Sequence, residues 1–249
     1  MTKALFIAWQ DPESRRWIPV GRLTFENGTY RFTYTRGAKE AKSFVPFGRM
    51  TDFNSAYVSN ELFPLFANRI LPKSRPEYGD YLRWLGLTEA RAQELEVLAR
   101  SGGLRATDTL EIFPCPEPTD DHRYVVYFFS HGVRYLLPEN HARFHSLQQG
   151  ERLYLMKDIQ KSADAMALLL RMGDPVSNVG YCPRYYCAEF GHLMDVVGAE
   201  KVIVTVERVN PDAPMQFRLL CRLSAPWPAN FAPCSMEEFQ ALPEAVETA

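Results

Sequence analysis

The residues of this chain whose types and order best suit chemistry are Arg134 and Tyr135, with Asp164 one of the carboxylates that follow them in the chain. A tyrosine ring is a platform on which a nucleobase can stack, worth about 1–3 kcal/mol per base. The neighbouring guanidinium can hold a phosphate in a two-pronged fork, and a carboxylate can accept a hydrogen bond from a sugar hydroxyl. A stacking face, phosphate donors and a hydroxyl acceptor are what the end of a nucleic-acid single strand requires. Lys161, Tyr181, Arg184 and Tyr185 are further cations and rings in the same stretch. Plainer readings stand beside each of these. Arg134-Tyr135 also reads as a half-buried tyrosine next to a solvated arginine at a strand end, and Asp164 as a turn residue bonding nearby backbone N–H groups. Residues 180–184 read as a turn and helix start, with Pro183 near the first turn and Tyr181 packed beneath it.

Other chemistries fit less well. His141 and His145 lie four apart with only His131 nearby, and no cysteine or carboxylate completes a familiar metal spacing. Cys182, Cys187 and His192 are spaced like ligands, yet they run into an apolar helix, where free cysteines usually serve as small core residues. There is no Gly-x-Ser-x-Gly elbow, no Cys–His arrangement for nucleophilic attack, and no cluster of acids for a nuclease metal. The expectation is a protein that is not an enzyme and needs no cofactor or metal.

Charge sets the scale of any contact with phosphate. The 249 residues carry a formal net charge of only −2. Between Ser130 and Val209 the nine Lys and Arg side chains are matched by nine Asp and Glu. Such a balance predicts contact with about two or three phosphates and a shallow salt dependence, as for an end-binder rather than a strand-coating protein. Five cysteines without framework spacing and no N-terminal apolar stretch lead to the expectation of a reducing cytoplasm, and no apolar run approaches the roughly 20 residues that cross a bilayer.

The elements that must position these residues can be read from period and punctuation. Residues 4–9 and 18–25 read as strands, and Asn27-Gly28 before Tyr30, Phe32 and Tyr34 marks a hairpin, because both turn residues tolerate positive φ. Helices are predicted over 61–71, from Ser74 to Gly86 with Glu77 completing a capping box, and from Thr88 to Gly102-Gly103. A strand over 109–113 leads to the proline- and acid-rich stretch 115–121, taken as the boundary between two modules, and residues 123–129 start a second series of strands. It continues over 151–158, 165–172, 176–181, 201–209 and 215–223, interrupted by a single helix near 184–197, and closure into a barrel would remove exposed sheet edges. From Ala225 the chain reads as a proline-rich strap followed by a short acidic helix.

Three pieces of the second half, in order, carry a resemblance: Gly132-Val133-Arg134-Tyr135; Gly150-Glu151-Arg152-Leu153-Tyr154-Leu155 running through Asp158 to Asp164-Ala165-Met166-Ala167; and Gly180-Tyr181-Cys182-Pro183-Arg184. Together they resemble the HIRAN domain over residues 125–209. The resemblance implies a modified OB-like barrel that binds the 3′ end of single-stranded DNA, with Arg134 and Tyr135 in the site and Asp164 accepting from a free 3′-hydroxyl. One position departs: Ala163 stands where eukaryotic members place an aromatic residue, so one wall of the base sandwich is missing unless Tyr181 or Tyr185 replaces it. The first half is similar to the N-terminal subdomain of HipA-type kinases. That likeness rests on Val20-Gly21-Arg22-Leu23, the Asn27-Gly28 hairpin, the run from Leu62 to Pro72, and the run from Leu95 to Phe113 with Arg100-Ser101-Gly102-Gly103. It implies a partner-docking module, with no kinase core following it here.

The expected fold is therefore α+β: a HipA-like β-meander with three helices over 1–120, a HIRAN-type barrel with one helix over 121–225, and a C-terminal strap over 226–249. Two functions follow as expectations. The first is a DNA-end-binding adaptor; the second is a protein-interaction module in which the barrel is only scaffold.

Overall fold

The computed structural model describes residues 4–158 and 166–242. They form two antiparallel sheets with few helices, in two compact units, each discontinuous in sequence. One unit takes the described parts of residues 1–78, 89–115 and 232–249; the other takes 79–88 and the described parts of 116–231. No helix among the described residues is long and apolar enough to cross a membrane.

Up to the linker the elements are β1 (Ala4–Gln10), β2 (Trp17–Glu26), β3 (Thr29–Tyr34), α1 (Arg36–Glu40), β4 (Tyr57–Ser59), α2 (Pro64–Ala67), α3 (Tyr78–Leu85), α4 (Glu94–Ser101) and β5 (Leu110–Pro114). The first sheet has the order β4-β3-β2-β1-β5. Asn27 and Gly28 both take positive φ, 51° and 79°, as the tight hairpin between β2 and β3 demands. Tyr30, Phe32 and Tyr34 then fall on one face of β3 and are buried with Leu5, Ile7 and Leu23 under Phe66 and Leu98. Two helices begin later than their patterns predict, and proline is the reason. A residue before proline is driven out of the helical region: Phe63 sits at ψ 140°, so the helix predicted over 61–71 starts only at Pro64, and it ends at Ala67. Likewise Pro76 follows Arg75, and the helix predicted from Ser74 starts at Tyr78. The third is split into a short 3-10 turn, Glu89–Arg91, and α4, which ends at Gly102 in the left-handed conformation.

Arg69 holds this unit together. Only 7% exposed, it donates to the carbonyls of Leu65 and Gly103 and to both carboxylate oxygens of Asp108. The C-terminal segment also completes the unit rather than hanging from it. Leu242 N–H donates to Tyr34 O at 3.0 Å, Arg36 N–H to Gln240 O at 2.9 Å, and Phe239 meets Phe6 edge-on at 5.0 Å.

Beyond the linker come β6 (Arg123–Phe129), α5 (Pro138–Phe144), β7 (Arg152–Lys157), β8 (Leu168–Arg171), β9 (Asn178–Tyr181), α6 (Arg184–Val197), β10 (Ile203–Val209) and β11 (Leu219–Pro226). Their sheet runs β6-β11-β10-β7-β8-β9 and curls into a half-barrel. Its two ends meet at one isolated bridge, His131 with Tyr181. The inward residues Tyr124, Val126, Phe128, Leu223, Val204, Leu153 and Leu170 are buried. Over them α6 packs its stripe Tyr186, Phe190 and Leu193, with Phe128 and Phe190 rings 5.7 Å apart. The expectation of one helix in this half is corrected. α5 starts at Pro138, and α3 packs here too, with Tyr81 against Phe217 at 6.0 Å and Asn210 donating to Trp84 O. Residues 215–217, expected as strand, turn as a 3-10 helix behind Pro214.

Candidate functional site

Gly180 controls where the candidate residues lie. Its φ of 123° is open only to glycine, and a Cβ there would stand 2.0 Å from Ser130 Oγ and 2.6 Å from His131 O. Because nothing occupies that space, the chain leaving β6 comes down on β9. Ser130 Oγ donates to Val179 O at 2.8 Å, and His131 and Tyr181 exchange two backbone hydrogen bonds of 2.9 Å. Gly132, also at positive φ, faces the Tyr181 ring, which a Cβ would approach to 3.3 Å. The next three residues, Val133–Tyr135, form a 3-10 turn rather than the strand end that their pattern suggests. Val133 is the buried anchor of that turn, and it presents Arg134 and Tyr135 outward.

Tyr135 is 74% exposed. The Arg134 guanidinium carbon lies 4.6 Å from its ring centroid and an Arg134 N–H donates to its hydroxyl, so ring and cation form one preassembled unit. Tyr181 is half-buried, and its hydroxyl donates to Asp158 Oδ2 at 2.8 Å. Burial first, then the Asp158 carboxylate, pushes that hydroxyl up to about 12, so it remains a neutral donor near neutrality.

Arg184 and Tyr185 open α6 just past Pro183 and are half-buried; the Tyr185 ring meets Tyr186 at 4.9 Å. Lys161, Ala163 and Asp164 lie outside the described residues. The chain on either side of them is fixed: Asp158 N–H donates to Ala167 O at 3.0 Å, and Lys157 pairs with Leu168.

The structure therefore links the Arg134-Tyr135 turn to Tyr181 through His131 and Gly132, with Arg184 and Tyr185 on the helix that follows. Asp158 as the partner of Tyr181, and Gly180 as the residue that permits the approach, were not singled out as site residues from sequence. A glycine directly before an aromatic strand end was the available signal. Cys182 and Cys187 are buried core thiols; burial pushes Cys182 well above its ordinary value, and Cys187 Sγ donates to Pro183 O. Among the described residues no group of three or more His, Cys, Asp or Glu could hold a metal ion.

No family model matches the chain, and no curated protein matches it. Among solved structures, a crystal structure of a protein from Lactobacillus plantarum is 19% identical, covering 41% of this chain and 95% of that one at a TM-score of 0.32, a likeness too slight to support an inference.

Proposed function

We propose that this protein binds the ends of DNA single strands that carry a free 3′-hydroxyl, acting as an adaptor without catalysis, and that its second unit is a HIRAN-type module. The observation that carries this reading is the exposed Tyr135 ring with the Arg134 guanidinium 4.6 Å from its centroid, on a turn that follows Gly132, which faces the Tyr181 ring. The ring supplies a face for the terminal base and the guanidinium meets the adjoining phosphate. Asp164 then accepts from the 3′-hydroxyl and repels a 3′-phosphate at the same place, which makes the site selective for unblocked ends. In this reading the first unit is a HipA-like docking module.

The rival reading, an interaction module with the barrel as scaffold, calls for exposed apolar side chains on the helices of residues 62–71 and 78–85. Leu62, Phe66, Tyr81, Leu82 and Leu85 are instead buried, and Phe63, Leu65, Ile70, Leu71 and Trp84 half-buried.

Polarisation titrations with single strands ending in a free or a phosphorylated 3′ position test the DNA reading. Tyr135→Ala should weaken binding by about 1–3 kcal/mol whatever the base sequence. Asp164→Ala should lower affinity for the free end and shrink the discrimination between ends. Equal binding of both ends by the unaltered protein, with Asp164→Ala silent, would overturn the proposal.

A further inference from the structure

The neutral balance of the second half conceals an uneven distribution of charge. On the outer face of the curled sheet the register sets Tyr127 beside Arg222, Arg222 beside Thr205, Thr205 beside Arg152, and Tyr154 beside Arg171. This row crosses β6, β11, β10, β7 and β8, four strand spacings or roughly 19 Å. Arg152 and Tyr154 are exposed, alternating with buried Leu153.

The row has a built centre. The guanidinium carbons of Arg152 and Arg171 each lie 5.1 Å from the Tyr154 ring centroid, one arriving along the strand and the other across it. The ring itself rests on Gly173, where a Cβ would come within 3.2 Å. Arg152 donates to Glu200 O and Arg171 to Met172 O, both backbone carbonyls that orient the guanidiniums without neutralising them. Among the described residues, none of Arg152, Arg171 and Arg222 stands in an ion pair. Asp121 is a carboxylate near the β6 end of the row. It interacts with Arg123 and Arg222, but its own hydrogen bond is to the Thr119 hydroxyl.

Guanidiniums outside any ion pair, held within 5.1 Å of an aromatic ring centroid, offer forks for phosphates beside a plane for bases in one row. An acidic polypeptide would match the charges but leave the planes without a partner. We propose that this face is a second nucleic-acid surface, a track that holds the backbone of a single strand along its length and needs no strand end. It does not rest on the end-binding reading, and the two are separable because a circular strand has no end.

The test uses the full chain and a circularised single-stranded oligothymidylate at low salt. The unaltered protein should bind the circle. Joint replacement of Arg152→Gln and Arg171→Gln should weaken that binding at least tenfold and lower the log–log salt slope by about 1.4, at roughly 0.7 for each phosphate no longer neutralised. Tyr154→Phe should leave circle binding intact and Tyr154→Ala should reduce it. Thermal melting confirms that each variant is folded. Failure to bind the circle, binding indifferent to the double replacement, or tighter binding of polyglutamate than of the circle would each overturn the track and leave the end-site titrations to stand or fall alone.

Discussion

At the scale of single residues the candidate site depends on two glycines as much as on its functional side chains. Gly132 and Gly180 let two backbones approach around the Tyr181 ring, and neither position accepts a Cβ without displacement or strain. Gly180→Ala would force a methyl into Ser130 Oγ and the His131 carbonyl at a φ that alanine avoids. It should destabilise the second unit by about 3 kcal/mol. Urea midpoints measure this. The same variant should lose its preference for free ends although Arg134 and Tyr135 are unaltered, since the turn that presents them is anchored through His131 and Tyr181.

At the scale of elements, Tyr34 does for the first unit what Gly180 does for the second. Its ring is buried at the end of β3, its hydroxyl donates to Met50 O at 2.7 Å, and it accepts from Phe47 N–H at 2.6 Å. Those bonds fix the long connection between α1 and β4, whose Phe44, Phe47 and Phe53 rings pack around the same tyrosine. Tyr34→Phe should therefore cost about 1–3 kcal/mol, because a part-buried N–H and a carbonyl lose their partner. Burial pushes this hydroxyl from its ordinary 10.0 up to about 12. Folding thus favours the neutral form, and the Tyr34 contribution is complete below pH 10 and lost as the pH rises through about 12. Denaturant titrations between about pH 9 and 12 should show the stability gap between the unaltered protein and Tyr34→Phe closing toward high pH.

At the scale of the whole molecule, both compact units are assembled from separated pieces of chain. The first takes its final piece from after residue 231, and the second takes residues 79–88 from before the linker. Within the second unit Tyr81 packs on Phe217, and Arg83 pairs with Asp212 at 2.5 Å. Within the first, Phe239 packs between Phe6 and Phe113. A protease cut in residues 116–121 should consequently nick the chain without freeing a fragment. The two pieces should co-elute on gel filtration under native conditions and separate only in denaturant. Separation of folded pieces without denaturant would show that these crossings contribute little.

Several elements could be read directly from the residues. The Asn27-Gly28 hairpin, the helix over 184–197, the strand over 123–129 and the helix end at Gly102 all rest on local signals: positive-φ turn residues, the 3.6 and 2.0 periods, and a glycine C-cap. The late start of two helices is local too: Pro64 and Pro76 bar the residues before them from the helical region, where the apolar spacing from Leu62 and the Ser74–Glu77 capping box point to earlier starts. What sequence could not supply was which distant residues share a face. Arg152, Tyr154, Arg171 and Arg222 lie on three strands far apart along the chain, and only register sets them in one row. Net charge averages over every face, so a balanced count of nine against nine concealed a basic one. The pairing of His131 with Tyr181 is likewise a matter of how the sheet curls, a long-range outcome of core packing that no stretch of sequence specifies by itself. Residue type and spacing determined the ring and the cation at Arg134-Tyr135; the tertiary fold decided what stands beside them.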